Sequence, residues 1–185
     1  MKSIRVIDFV IAISLILICI PLFILLTIII YLQDFKNPLF IQKRMGKDKK
    51  EFKMIKLRSM KIHHDPIYQT TQKNDPRITR IGRIIRKTSL DELPQLWNIV
   101  LGQMSFIGPR PVPKVEINQF PKELWELRHT IRPGISGLAQ INSKSNKNFS
   151  LEDQHIDEFE MINTFNLLNY FKLFLSTFHV LLKNH

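Results

Sequence analysis

Phe9 to Leu32 carries no charged side chain and consists almost wholly of Ile, Leu, Val and Phe. Few folds can accept such a run. As a helix its 24 residues extend roughly 36 Å at about 1.5 Å per residue. That is enough to cross a bilayer core of about 30 Å. A signal peptide would have a shorter apolar core and a small-residue cleavage site. Tyr31-Leu32-Gln33-Asp34-Phe35 offers no such site. The run is therefore expected to remain as a membrane-inserted element.

Two features bear on how it sits. Pro21 lies mid-run, where it removes one backbone donor and meets the carbonyl of Leu17, so a kink or break is expected there. Both flanks are basic. Lys2 and Arg5 precede the run, with Asp8 offsetting one charge, and Lys36, Lys43, Arg44, Lys47, Lys49 and Lys50 follow it. Positive charge favours the cytoplasmic side. These residues leave two readings open: a helix-break-helix that enters and leaves on one face, and a kinked span.

The remaining chain is long enough for one domain with a sizeable core. A net charge of +11 predicts an anionic partner, whether phosphate, anionic lipid or nucleic acid. Nucleic acid fits least, because aromatic residues are not interleaved with the basic run. The single cysteine, Cys19, excludes an intrachain disulfide, and no Cys/His cluster has zinc spacing.

Pro38 to Leu57 reads as a β-hairpin, with alternation over Phe40–Met45, a turn at Gly46-Lys47-Asp48-Lys49-Lys50, and a second strand through Phe52-Lys53-Met54. Its lysines, with Lys56 and Arg58, suit a solvated edge or a surface for headgroups and phosphates. His63-His64-Asp65 reads as an exposed loop, since no further metal ligand follows at useful spacing.

Asp75-Pro76 predicts a helix start. Ile78, Ile81, Ile84 and Ile85 then repeat at helical spacing, and Arg77, Arg80, Arg83 and Arg86 form one basic face with almost no acidic partners. Ser89-x-x-Glu92 has capping-box spacing, so a second helix is expected from Leu90 with Asp91 and Glu92 in its first turn. Acids there commonly only stabilise a helix end. Beside so many arginines, they also suit a carboxylate nucleophile attacking phosphorus, helped by cations that mask the target's charge. Pro109-Arg110-Pro111 presents a guanidinium on a stiff backbone.

Val115 to Arg128 is an amphipathic helical pattern broken near Pro121, with Trp125 read as core. Arg132-Pro133-Gly134-Ile135-Ser136-Gly137 reads as a tight loop, and Ser143 to Ser150 as a mobile polar loop. Phe165 to Leu182 is apolar over most of its circumference, with a narrow stripe of Asn166, Asn169, Lys172, Ser176, His179 and Lys183. Such a helix packs in a core or lies in a membrane interface.

Several of these stretches together resemble the bacterial sugar transferases, the monotopic polyprenyl-phosphate phosphoglycosyl transferases. They are Asp75-Pro76-Arg77, Thr88-Ser89-Leu90-Asp91-Glu92-Leu93-Pro94-Gln95-Leu96, Gly108-Pro109-Arg110-Pro111 and Arg132-Pro133-Gly134-Ile135-Ser136-Gly137. The apolar run, Gln42-Lys43-Arg44-Met45-Gly46 and Lys56-Leu57-Arg58-Ser59-Met60 join them, so the likeness covers nearly the whole chain. Its length resembles the minimal members. It departs at Ile20, where a serine often precedes the proline, at Asn142-Ser143-Lys144-Ser145-Asn146, which is usually richer in glycine and arginine, and in a C-terminal stretch that lacks the usual tryptophan-tyrosine character.

The resemblance implies an α+β fold, mostly helical, with one small β-hairpin, interfacial amphipathic helices and a re-entrant membrane helix over residues 1–35 that breaks at Pro21. Residues 36–185 would then be a cytosolic catalytic domain on the inner membrane of a bacterium. The implied reaction moves a phosphosugar from a nucleotide diphosphate sugar, commonly a UDP-sugar, to a polyprenol phosphate such as undecaprenyl phosphate, releasing UMP. Asp91 would be the nucleophile, Glu92 its partner in metal or proton handling, and both would hold Mg²⁺. Arg86 and Arg110 match arginines near the phosphate, and Lys56 and Arg58 complete the candidate phosphate-binding set. Partners would be the donor, the acceptor and anionic lipid, with no nucleic acid. The competing expectation is a membrane-tethered polybasic adaptor that performs no chemistry.

Overall fold

The computed structural model describes residues 2–61, 75–146 and 148–183. The expectation for His63-His64-Asp65 lies outside them.

Helix α1, Lys2–Leu32, contains Pro21 without an interruption of helical structure, so the expected break of the helix is not seen at this residue. Its inward stripe is continuous in kind but not in depth. Ile4, Asp8 and Ala12 are buried near one end and Leu26 and Ile30 near the other. Between and beside them Ile7, Ile11, Leu15, Ile16 and Phe23 pack partly against the domain. Both ends of α1 therefore rest on the same body. The opposite face exposes Val10, Leu17, Ile18, Leu22, Leu25 and Ile28, a concentration that water disfavours and a bilayer accepts.

Polar contacts fix both ends. The Arg5 guanidinium donates to the carbonyls of Ile99 and Val100, each at 2.6 Å. Asp8 accepts from the Ser105 hydroxyl, the Phe106 amide and the Tyr170 hydroxyl at 3.1, 3.1 and 2.8 Å. These residues, read from sequence as flanking charges, are anchors to the domain. At the far end Asp34 receives two hydrogen bonds from Arg58, at 2.7 and 2.6 Å.

The expected hairpin is present as antiparallel β1 (Leu39–Met45) and β2 (Glu51–Leu57), with Gln42 opposite Met54. Phe52, Met54 and Leu57 on β2 enter the core. Helix α2 spans Arg80–Lys87 and starts later than Asp75-Pro76 predicts. Asp75 instead captures the amide and guanidinium of Arg77, and Ile78 bridges to Met60 in extended form. The chain turns helical only at Thr79, whose hydroxyl accepts from the Gly82 amide. The predicted basic face is split as a result. Arg77 precedes the helix, Arg80 and Arg83 are exposed, and Arg86 points to the site described below.

Helix α3 (Gln95–Val100) leads to β3 (Ser105–Ile107), which pairs in parallel with β4 (Gly134–Ser136). The Arg132–Gly137 stretch, read as a loop, thus contains a short strand. Gly108 and Gly134 explain why. A Cβ on Gly108 would strike the Arg132 carbonyl, and one on Gly134 would strike the Gly108 amide, so only glycine permits this approach. The predicted helix around Pro121 resolves into a 3₁₀ turn at Lys114–Gln119 and α4 (Lys122–Arg128), with Trp125 buried as expected.

Helix α5 (Leu138–Ser145) includes residues expected in a mobile loop. Helix α6 (Leu151–Asn163) begins in a capping box between Ser150 and Asp153. Helix α7 (Leu167–Lys183) buries Tyr170 with Leu173 and Phe174 beside it, and exposes Leu167, Leu168, Phe171, Leu175 and Phe178. The apolar surface of α7 exceeds what the domain covers.

Candidate active site

The β-hairpin, the α2–α3 junction, the Pro109–Pro111 segment, β4, α5 and α7 enclose a cavity of about 930 Å³. All six residues singled out from sequence, Asp91, Glu92, Arg86, Arg110, Lys56 and Arg58, line it. They come from four separate stretches of chain, and only the fold joins them.

The acids are not placed as the capping-box spacing predicts. Ser89 adopts a left-handed conformation, φ 57°, and its side chain caps nothing. Leu90–Glu92 is one 3₁₀ turn, and α3 proper begins at Gln95 after Pro94. Pro94 sits at the N-cap of α3 and lacks an amide hydrogen, so the helical hydrogen-bond ladder begins only after it. The helix dipole argument for the acids accordingly falls away. What surrounds them instead is cationic side chains.

Lys56 Nζ donates to Glu92 Oε1 at 2.7 Å, with the two side chains 15% and 20% exposed. Burial pushes the Glu92 carboxyl up, but the charges of Lys56, Arg110 and Lys144 and the Lys56 hydrogen bond outweigh it, leaving Glu92 below its ordinary value. Asp91 goes the other way. Burial, then the adjacent Glu92 charge, hold its carboxyl above the ordinary value, against the pull of Lys56 and Arg86. The pair is thus differentiated: Glu92 is the settled anion, and Asp91 is the more basic of the two carboxylates.

Arg86 reaches the cavity from the last turn of α2, and Arg110 from between its two prolines. Arg58 is engaged elsewhere. Besides Asp34, its guanidinium donates to the carbonyls of Ile30 and Lys36 at 3.4 and 3.3 Å. It lines the wall while holding the end of α1.

Sequence reading missed Gln140 and Thr177, which reach the cavity from α5 and α7, and met Lys144 only within the 142–146 stretch noted as a departure from the family pattern. Lys144 acts on Glu92 across 52 positions of chain, and no local pattern marks that meeting. Arg44, by contrast, sat within a noted motif. Its guanidinium donates to Gln42 Oε1 at 2.7 Å on the cavity wall.

The donor set suits magnesium. Among the described residues no group of three or more His, Cys, Asp or Glu side chains converges. Magnesium typically takes one or two carboxylates and completes its shell with phosphate oxygens and water. Two adjacent carboxylates in a cationic cavity fit that pattern.

A family model described as "Bacterial sugar transferase" matches residues 2–184. A UDP-galactose-lipid carrier transferase of Erwinia amylovora is 37% identical over 161 residues, covering 78% of this chain and 33% of its own. A UDP-glucose:undecaprenyl-phosphate glucose-1-phosphate transferase of Escherichia coli K12 is 38% identical over 148 residues, 78% of this chain and 32% of its own. An exopolysaccharide production protein of Rhizobium leguminosarum is 40% identical, with 74% and 72% covered. The chain spans about a third of the length of the first two relatives.

Proposed function

The chain belongs to the bacterial sugar transferase family, and from that premise we propose that it transfers a phosphosugar from a UDP-sugar to undecaprenyl phosphate. The observation that carries this is the convergence of Asp91 and Glu92 with Arg86, Arg110, Lys56 and Lys144 on one cavity. An adaptor for anionic lipid has no use for two acids amid those cations, one of them held above its ordinary pKa.

In the proposed reaction an Asp91 carboxylate oxygen attacks the β-phosphorus of the donor. The bond from that phosphorus to the bridging oxygen breaks, UMP leaves with the electron pair, and the phosphosugar stays on Asp91 as an acyl phosphate. A phosphate oxygen of the lipid acceptor then attacks the same phosphorus. Asp91 is released, and the product is a lipid-linked diphosphosugar. Arg86 and Arg110 offset charge on the phosphates, and the Lys56–Glu92 pair keeps a fixed anion and cation beside the nucleophile. Asp91 and Glu92 would hold Mg²⁺, which would draw charge from the phosphoryl oxygens. We leave Arg58 out of the phosphate set, since Asp34 occupies it.

The acceptor is a lipid, so the site must lie at a bilayer. The outward face of α1 and the exposed apolar residues of α7 support seating on the membrane surface. Both ends of α1 rest on one domain, which favours a helix that enters and leaves on the same side by bending at Pro21 without losing its helical turns. With the positive-inside rule that side is cytoplasmic, at a bacterial inner membrane, in a glycan pathway.

The test is transfer itself. Enzyme in vesicles containing undecaprenyl phosphate and Mg²⁺ is given a panel of labelled UDP-sugars, and label is followed into the organic phase. One or more sugars should become lipid-linked with release of UMP. Lipid binding that survives EDTA, with no UDP-sugar consumed, would favour the adaptor instead.

A further inference from the structure

We propose that Arg128 and Glu158, which do not line the cavity, are positioning residues that set the reach of Arg110. The inference rests on the phosphate role given to Arg110 above. The segment carrying Arg110 is held by its carbonyls. Pro109 O accepts from the Gly134 amide at 3.0 Å, and Val112 O from the Met45 amide at 2.9 Å. Between them, Arg110 O accepts from Arg128 Nη2 at 2.6 Å. Backbone thus secures the flanks, and a side chain secures the residue that faces the cavity.

That side chain is held on every side. Arg128 is 2% exposed and lies 3.3 Å from Glu158, which is 0% exposed. Its guanidinium stacks over the Phe120 ring at 4.1 Å. Gln154 donates to Glu158 Oε1 at 3.1 Å from one turn earlier on α6. Helices α4 and α6 therefore brace Arg110 from behind.

As a stabiliser the pair is poor. Arg128 Nη1 and Glu158 Oε2 are buried without a hydrogen-bond partner among the described residues. Buried ion pairs with unmet polar atoms are often no better than apolar residues of similar volume. What the pair does satisfy is the Arg110 carbonyl. Two prolines stiffen the segment but supply no amide hydrogens, so the third fixed point has to come from elsewhere.

The experiment is a double-mutant cycle on UMP release. Arg128→Met with Glu158→Leu replaces the pair by apolar side chains. The account expects this variant to fold with near-native Tm, and UMP release to fall about tenfold or more. In an Arg110→Ala background the same replacement should change the rate by less than about twofold, because the brace acts only through Arg110. Full activity of the replaced pair would overturn the inference, as would an equal loss in both backgrounds. If the replaced pair does not fold, Arg128→Gln with Glu158→Gln carries the cycle with the same criterion: it keeps two polar groups facing each other, and its side chain at position 128 is too short to reach the Arg110 carbonyl that Nη2 holds. Hydrogen exchange at the Gly134 and Met45 amides, which bond to the Pro109 and Val112 carbonyls, gives a readout that needs no turnover. Faster exchange without the pair is expected, and unchanged exchange overturns the brace. A wild-type enzyme that releases no UMP from any UDP-sugar would sink the transfer reading instead, leaving exchange to judge the brace.

Discussion

Lys56 Nζ lies 2.7 Å from Glu92 Oε1 and ties the second hairpin strand to the turn that carries both acids. The contact joins positions 36 residues apart, and it sets the electrostatics of the neighbouring carboxylate. Lys56 lowers Asp91 and Glu92 alike, whereas the Glu92 charge raises Asp91.

The pH profile of UMP release should follow from these signs. Asp91 must be ionised to attack, and burial with the Glu92 charge places its titration above the ordinary carboxylate range. Activity should therefore fall, as pH drops, sooner than for an ordinary aspartate. Lys56→Met removes a cation that favours both anions, so the acid limb moves to higher pH. Glu92→Gln removes the like charge, so the limb moves to lower pH, with a plateau reduced by about 10²-fold or more. Initial rates across pH for the three proteins check both directions.

Arg110→Ala should lower the plateau rate by about 10²- to 10³-fold, the range for removing one preorganised charge-stabilising donor. Tm should stay close to native, because the Arg110 side chain is exposed. Thermal unfolding and single-turnover UMP release separate the two effects.

Gly108→Ala forces a methyl group against the Arg132 carbonyl. Backbone must move there, at a cost of about 1–3 kcal/mol, and β4 should shift at the cavity wall. A lower Tm together with lost activity is expected. Gly82, far from β4, supplies a comparison with its own clash at Ser59.

Asp34→Asn should loosen the end of α1. Arg58 holds the Asp34 carboxyl below its ordinary value, chiefly through their hydrogen bonds. A depressed acid stabilises the fold above its unfolded pKa and loses that contribution as pH falls through the lower, folded pKa. Wild type should thus lose this stability only in acid, while Asp34→Asn lacks it throughout. Tm against pH for the two proteins should converge at low pH.

Much of this was readable from residue order. Alternation gave the hairpin, uninterrupted apolarity gave α1, and motif order gave the acids and arginines that share the cavity. What stayed hidden has physical reasons. Asp75 looked like a helix cap, but its carboxylate bonds to Arg77 two residues on, and that competition is invisible in spacing. Ser89 looked like half of a capping box, but Pro94 delays α3, and Glu92 turns to Lys56. Gly108 and Gly134 make a strand pair from what reads as a loop, because their meeting is tertiary. Lys144 joins the site only because α5 follows β4. For Glu92, Gly108 and Lys144 a partner distant in sequence outcompetes the local signal, and for Asp75 a neighbouring guanidinium does.

The central claim is that Asp91 bonds to phosphorus. It is tested most directly by mixing enzyme, Mg²⁺ and UDP-sugar labelled in the β-phosphate, with no lipid acceptor present. The account predicts a burst of UMP equal to the enzyme and label retained on the protein at Asp91, both absent in Asp91→Asn. Full turnover by Asp91→Asn, or UMP formed only after acceptor is added, would contradict it.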